Sequence, residues 1–429
     1  MIVVATYSCR TKEELLAEQE KLLVRYAQLK EENLKLDMSR GKPSKLQLDL
    51  ISDMLTVLTD PQQCMINGVD CRNYGDLAGL PCAREYWADV LGCKPSQTFV
   101  GGNASLSLMH DLIVRAYTHG LPDSPRPWCK EEKVKFLCPS PGYDRHFRIT
   151  ENLGFELITV PMTPDGPDMD LVETLVKDPT VKGIWCVPKF SNPQGYTYSE
   201  ETVDRFVHLK PAAPDFVIMW DNAYCVHEFT GEFEPFRDII SACAEAGRPN
   251  MPYEFASTSK ITFPGAGISV MASSEENIAY HLKLISVQTI SYDKVNQLRH
   301  VLYLKDRAHT LELMKKHGKI MAPKFEMVLK MLRAQLTNKG IAHWHHPNGG
   351  YFVCVAAMPG TAKRTLELCR DAGVIMTEAG ATYPYGVDPH DSMIRIAPSL
   401  PPVEELEKAM HVFCTSLRLA ALEKILEEV

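Results

Sequence analysis

The sequence predicts an α/β protein. Its large domain is built on a mostly parallel, doubly wound sheet, and a smaller α/β domain is attached to it. Three observations carry this. From about residue 95 to 275, short apolar runs alternate with helical stretches, the pattern of strand–helix–strand crossovers. After about residue 293 a long helical pattern leads into a second set of strand candidates. With 429 residues, the chain is also too long to be organised around one small core.

Residues 11–36 read as one helix. Thr11 and Glu14 fit a capping box, and Leu15, Leu22, Leu29 and Leu36 recur every seven residues with Leu16, Leu23 and Tyr26 beside them. This is an amphipathic arm packed on its own protein or on a partner subunit, with a short coiled coil as the alternative. The stretch "DMSRGKPS" ends it. "ASLSLMHDLIVRAYTHG" (104–120) is helical and closes at Gly120, ahead of Pro122. "KVKFLC" (133–138), "GIWCV" (183–187), "DFVIMW" (215–220) and "YEFAS" (253–257) read as buried strands. Residues 293–318 read as one long helix leaving the large domain. "GGYFVCVAAM", "AGVIMTEAG" and "SMIRIAP" follow as three strands separated by helices. The expected division is 1–45 as arm and part of the small domain, 46–300 as large domain, and 301–429 as small domain.

Composition narrows the function. Apolar residues make up 45% and charged residues 23%, as in an ordinary soluble protein, and the formal net charge is -8. That charge gives no footprint for nucleic acid or an anionic membrane. "MIVVATYSCR" carries no signal-peptide pattern, and no run approaches the roughly 18 apolar residues of a membrane span. The 13 cysteines include no C-x-x-C pair and read as reduced thiols in a cytoplasm.

The chemistry sits where the predicted strands end. "PSPGYDRH", "PKFSNPQG", "DNAY" and "TSK" each follow a strand, and in an open α/β sheet ligands bind at that carboxyl edge. Lys260 lies in "EFASTSKITFPGAG" with no carboxylate within five residues. Gly101, Gly102, Asn103 and Ala104 open a helix whose free N–H groups and dipole suit a phosphate. Asp221 ends an apolar strand and needs a cationic or hydrogen-bonding partner, a need that a protonated ring nitrogen would meet. Tyr224 and Asn192 are donors for a phenolate oxygen, and Tyr143 is an aromatic for stacking on a flat ring. Each has a plainer reading alone: a surface lysine, a glycine turn, a helix cap, a half-buried tyrosine. Together they describe pyridoxal 5'-phosphate, which binds by a lysine Schiff base with an acidic partner at its pyridine nitrogen.

The ordered set "YGDLAGL", "GGNASL", "PGYDRH", "SNPQG", "DNAY", "STSK" and "IRIAPS" resembles fold-type I aminotransferases of the aspartate aminotransferase class, from about residue 35 to 420. "SRGKPS" and "ISYDKVNQLRH" look like a divergent bacterial subgroup of that class. The resemblance implies Lys260 as the Schiff-base lysine and Asp221 at the pyridine nitrogen. It implies Asn192 and Tyr224 at the ring hydroxyl oxygen, Tyr143 stacked on the ring, and Gly102, Asn103, Ala104 and Ser257 at the phosphate. Tyr74 would reach the phosphate of a neighbouring subunit, hence a homodimer. Arg395 would hold the substrate α-carboxylate, with Gly41 and Asn192 lining the substrate. The implied activity is ping-pong transfer of an amino group between an L-amino acid, aspartate first, and 2-oxoglutarate in the cytoplasm, with no metal, nucleic acid or membrane partner.

Other readings stay open on the sequence. A β-lyase, or an aminotransferase for another amino acid, would keep nearly all these residues. A cofactor-sensing regulator would need a basic helix-turn-helix ahead of the fold, where only about 40 residues of mixed charge stand. Arg40, Lys42, Arg145, Lys294 and Arg299 are all candidates for a substrate side-chain carboxylate. Where many relatives carry a phosphate-gripping arginine eight residues after the lysine, this chain has Ile268. The "HWHHP" stretch from His343 reads as a loop rather than a metal site. His146 either supports Asp221 or makes a structural hydrogen bond.

Overall fold

The computed structural model describes residues 6–229 and 232–428. The large sheet has eight strands in the spatial order Thr98–Val100, Ser269–Ala272, Pro252–Ser257, Val217–Asp221, Val181–Cys186, Lys135–Ser140, Glu156–Thr163, Gly166–Pro167. The five strands from Pro252–Ser257 to Glu156–Thr163 pair in parallel, and the pairings toward both edges are antiparallel. The expected mostly parallel sheet is therefore present, with each predicted strand shifted by one or two residues. "KVKFLC", for example, forms a strand over Lys135–Ser140.

Every residue of Val181–Cys186, Val217–Asp221 and Pro252–Ser257 is buried, as expected for a sheet covered on both faces. The period of two sorts them. Val217 and Met219 join one apolar layer with Phe136, Tyr253 and Phe255, whereas Ile218 and Trp220 join the other with Leu137, Ile184 and Val270. The helix predicted at 104–120 spans Ser105–His119 and stops at Gly120, whose φ of 84° suits glycine.

The arm helix spans Lys12–Glu31, and Thr11 and Glu14 form the capping box. Leu15, Leu22, Tyr26 and Leu29 are buried, but Leu16 and Leu23 are exposed. Leu36 belongs not to this helix but to the strand Leu36–Asp37, which pairs in parallel with Val374–Ile375. The buried stripe shares one core with the C-terminal helix Val403–Glu428. The arm thus packs on its own chain.

The helix expected at 293–318 is two helices. Lys294–Leu304 ends at Lys305 (φ 60°), and Asp306 caps Arg307–Leu336 by accepting from His309 N–H. Leu313 and Met314 of the second helix lie in a large-sheet core, whereas Met321 to Leu336 lie in the small core. The change of core therefore falls inside that helix. Val353–Ala357 pairs antiparallel with Met393–Ile396 and with Ala342–Trp344. His343 and Trp344 of "HWHHP" thus belong to an edge strand, not a loop. Among the described residues no group of three His, Cys, Asp or Glu side chains could hold a metal ion. Nor is any described helix long and apolar enough to cross a membrane.

Candidate active site

At the carboxyl edge of the large sheet lies a cavity of about 690 Å³. Gly41, Ala104, Tyr143, Asn192, Asp221, Tyr224, Ser257, Lys260 and Arg395 all line it. They come from seven segments separated along the chain: the parallel topology carries the large-sheet segments to one edge, Gly41 comes from a loop, and Arg395 comes from a strand of the separate three-stranded sheet.

Asp221 is the last residue of the central strand and is buried. Its Oδ2 lies 2.9 Å from His146 Nε2, while the buried Oδ1 has no partner within the chain. His146 is itself buried, stacks on Trp185 with centroids 4.5 Å apart, and meets the edge of Tyr143 at 4.9 Å. His146 thus supports the aspartate. An orphaned carboxylate oxygen on the cavity wall calls for a donor, and a protonated pyridine nitrogen is such a donor.

Lys260 closes the short turn Thr258–Lys260 and is half-buried. Its Nζ lies 5.0 Å from the centre of the Tyr224 ring and 5.8 Å from that of Tyr351. Burial lowers its pKa below the ordinary lysine value, against the opposing pull of Asp221. No ion pair involves it among the described residues. It is an amine kept available rather than locked in a salt bridge.

The opposite end suits an anion. Ala104 caps the helix Ser105–His119, and Ala104, Ser105 and Leu106 face the cavity beside Ser257 and Ser259. Gly102 and Asn103 do not line it: Asn103 is exposed, and its amide nitrogen reaches Pro264 O at 3.5 Å. Sequence reasoning overlooked Ser105, although a hydroxyl in the first helical turn after a glycine pair is a signal for a phosphate site. Ile268 is buried in the core and does not line the cavity.

Arg395 projects from the strand Met393–Ile396 and is held on several sides. Nη1 donates to Asn192 Oδ1 (3.1 Å), Nε to Thr377 Oγ1 (3.2 Å) and Nη2 to Ser39 O (3.4 Å), and the guanidinium stacks on Phe352. Asp144 Oδ1 lies 3.6 Å from the same Nη1. Gly41 is required here, because a Cβ would stand 2.7 Å from the Phe352 ring. Of the five basic candidates, Arg40, Lys42 and Arg145 line the cavity. Lys294 is turned to Tyr74 O and Asp76, and Arg299 to Asn296. Tyr74 lies outside this cavity, and 75% of its surface is exposed.

One cavity thus gathers a buried carboxylate with an unpartnered oxygen, an amine outside any ion pair among the described residues, a helix N-terminus with hydroxyls and a fixed guanidinium, on a fold-type I scaffold. Residues 10–428 match the family model described as aspartate amino-transferase, so the chain belongs to that family and is an aminotransferase. It is 48% identical to the aspartate aminotransferase of Corynebacterium glutamicum, over 93% of this chain and 92% of that one. It is also 48% identical to a putative aminotransferase of Mycolicibacterium smegmatis, over 97% and 98%. A crystal structure of an aspartate transaminase from Corynebacterium glutamicum superposes with a TM-score of 0.96 at 46% identity, covering 98% of this chain and 99% of that one.

Proposed function

We propose that this aminotransferase uses pyridoxal phosphate and takes L-aspartate as amino donor and 2-oxoglutarate as acceptor, working as a cytoplasmic homodimer. The single observation that carries the reading is the pairing of the orphaned Asp221 Oδ1 with the available Lys260 amine across one cavity. Asp221, steadied by His146, would hold the ring nitrogen; Tyr143 would stack; Asn192 and Tyr224 would meet the ring oxygen. Ala104, Ser105 and Ser257 would hold the phosphate, joined by Tyr74 from a second copy. Bound there, the cofactor supplies a carbonyl carbon for the substrate amine and a ring that withdraws electrons from Cα.

The chain's own residues do the rest. Arg395 pairs with the α-carboxylate through a planar two-point contact, already oriented by Asn192, Thr377 and Ser39. That orientation sets Cα–H toward Lys260, whose neutral amine takes the proton and holds it for return. Holding the carboxylate also keeps it from being the group that leaves, which disfavours decarboxylation. Arg40, Lys42 and Arg145 supply positive charge for a second carboxylate, which favours a dicarboxylic donor over an apolar one. A panel of amino donors with 2-oxoglutarate, read as keto acid formed, tests this. Aspartate should give the highest kcat/KM, and a preference for an aromatic or aliphatic donor would refute the assignment.

A further inference from the structure

The turn that carries Lys260 is held by an imidazole that lines no part of the cavity. His300, on the helix Lys294–Leu304, is fully buried. Its Nδ1 lies 2.8 Å from Asn296 O, one helical turn back. A carbonyl oxygen only accepts, so Nδ1 carries the proton and Nε2 is the acceptor. That acceptor faces two hydroxyls from the Lys260 turn, Thr262 Oγ1 at 2.9 Å and Thr258 Oγ1 at 3.1 Å. Burial pulls the imidazole pKa down to about 4, so the ring is neutral wherever the enzyme works near neutrality.

The two threonines are wired into the backbone around Lys260. Thr258 Oγ1 accepts from Ile268 N–H (3.0 Å), and the Thr262 hydroxyl shares its one proton between His300 Nε2 and Thr258 O (3.2 Å). On the same face as His300, four residues earlier, Asn296 Nδ2 donates to Ala266 O (3.1 Å) and Gly267 O (2.9 Å). One helix thus grips both the turn that bears the lysine and the turn that follows it. Lys260 has no ion pair to fix its amine among the described residues, so its position follows from its backbone.

We infer that His300 is a positioning residue for Lys260: through the hydroxyls of Thr258 and Thr262 it fixes the turn from which the amine reaches the substrate carbon. A displacement of about 1 Å in such a group costs on the order of a hundredfold in rate. The inference rests on Lys260 being the reactive lysine.

The test uses the cofactor-free protein as well as the loaded one. Lys260 is methylated with formaldehyde and cyanoborohydride across a pH series and located by peptide mass. In His300→Leu the pH midpoint of Lys260 modification should rise by roughly half a unit or more, because a loosened turn admits water to the amine. In the loaded enzyme kcat should fall about tenfold or more, with KM for the amino donor within about twofold. His300→Gln, whose amide oxygen can accept from the same hydroxyls, should restore most of both. If His300→Leu does not fold, Thr262→Val, which removes the shorter hydroxyl contact, takes its place with the same expected shift. A midpoint equal to the parent's overturns the inference, whatever kcat does, because a loss of rate alone would then reflect general destabilisation. Absence of any methylation at Lys260 in the parent would instead overturn the reading of that lysine.

Discussion

At the scale of single residues, the site separates groups fixed by their own strand from groups fixed by distant neighbours. Lys260, Asp221, Tyr143 and Asn192 were legible because each lies at the end of a strand or in the segment just beyond it, and the topology sends all those strand ends to one edge. His300 was not legible as part of the site, since its role depends on contacts with Thr258 and Thr262 that no local pattern encodes. The same holds for Asp144, which meets Arg395 across some 250 residues of chain. Among the basic candidates, Arg145 is half-buried, whereas Arg40 and Lys42 are exposed. Arg145→Met should therefore raise KM for aspartate by about 10- to 100-fold, corresponding to loss of a charged hydrogen bond of roughly 1.5–3 kcal/mol. Its effect on alanine, measured by the same steady-state assay, should be within about threefold. An equal loss for both donors would place Arg145 outside the side-chain subsite.

At the scale of elements, capping chemistry was readable and tertiary breaks were not. Thr11 with Glu14 and the terminal Gly120 mark helix ends by local hydrogen bonding. The break at Lys305–Asp306 interrupts an apolar period that continues on both sides, and the capping aspartate was its only local sign. The central strands carry a further consequence. Glu254, on the strand next to Asp221, is buried, and burial pushes its carboxyl up to about 8, with Asn222 Nδ2 donating to one oxygen at 2.8 Å. Because this folded-state pKa lies above the unfolded one, the folded chain keeps a proton that the unfolded chain loses between about pH 4.5 and about pH 8. The folded state thus binds more protons in that window, so this group makes stability fall as pH rises through it. Glu254→Gln keeps the acceptor for Asn222 without the titration. Thermal unfolding from pH 5 to pH 8 should show a shallower decline in the variant than in the parent, and parallel declines would remove Glu254 as the source.

At the scale of the whole molecule, the sequence led to the expectation that residues 1–45 join 301–429 in a smaller unit, but not which segments pair. Leu36–Asp37 pairs with Val374–Ile375, and the arm packs on Val403–Glu428, so the unit is assembled from both chain ends. Pairings of such separation leave no periodic trace in either segment. The high exposure of Tyr74 on a single chain belongs to the same scale, because a shared site would use it from a second copy. Tyr74→Ala and Lys260→Ala place their defects on opposite contributors to one such site. Unfolding and refolding an equal mixture should restore about a quarter of the parent's sites, since half the dimers would be mixed and each would hold one intact site. A mixture no more active than the mean of its parts would refute sharing.

The role proposed for Lys260 is to move a proton in a complete amino-transfer half-reaction. The most direct measurement is a single turnover of cofactor-loaded enzyme with L-aspartate and no acceptor, following oxaloacetate and the aminated cofactor together. The parent should release one oxaloacetate per site with one cofactor aminated, and Lys260→Ala should release almost none on that timescale. Oxaloacetate without amination of the cofactor, or an equal yield from Lys260→Ala, would contradict it.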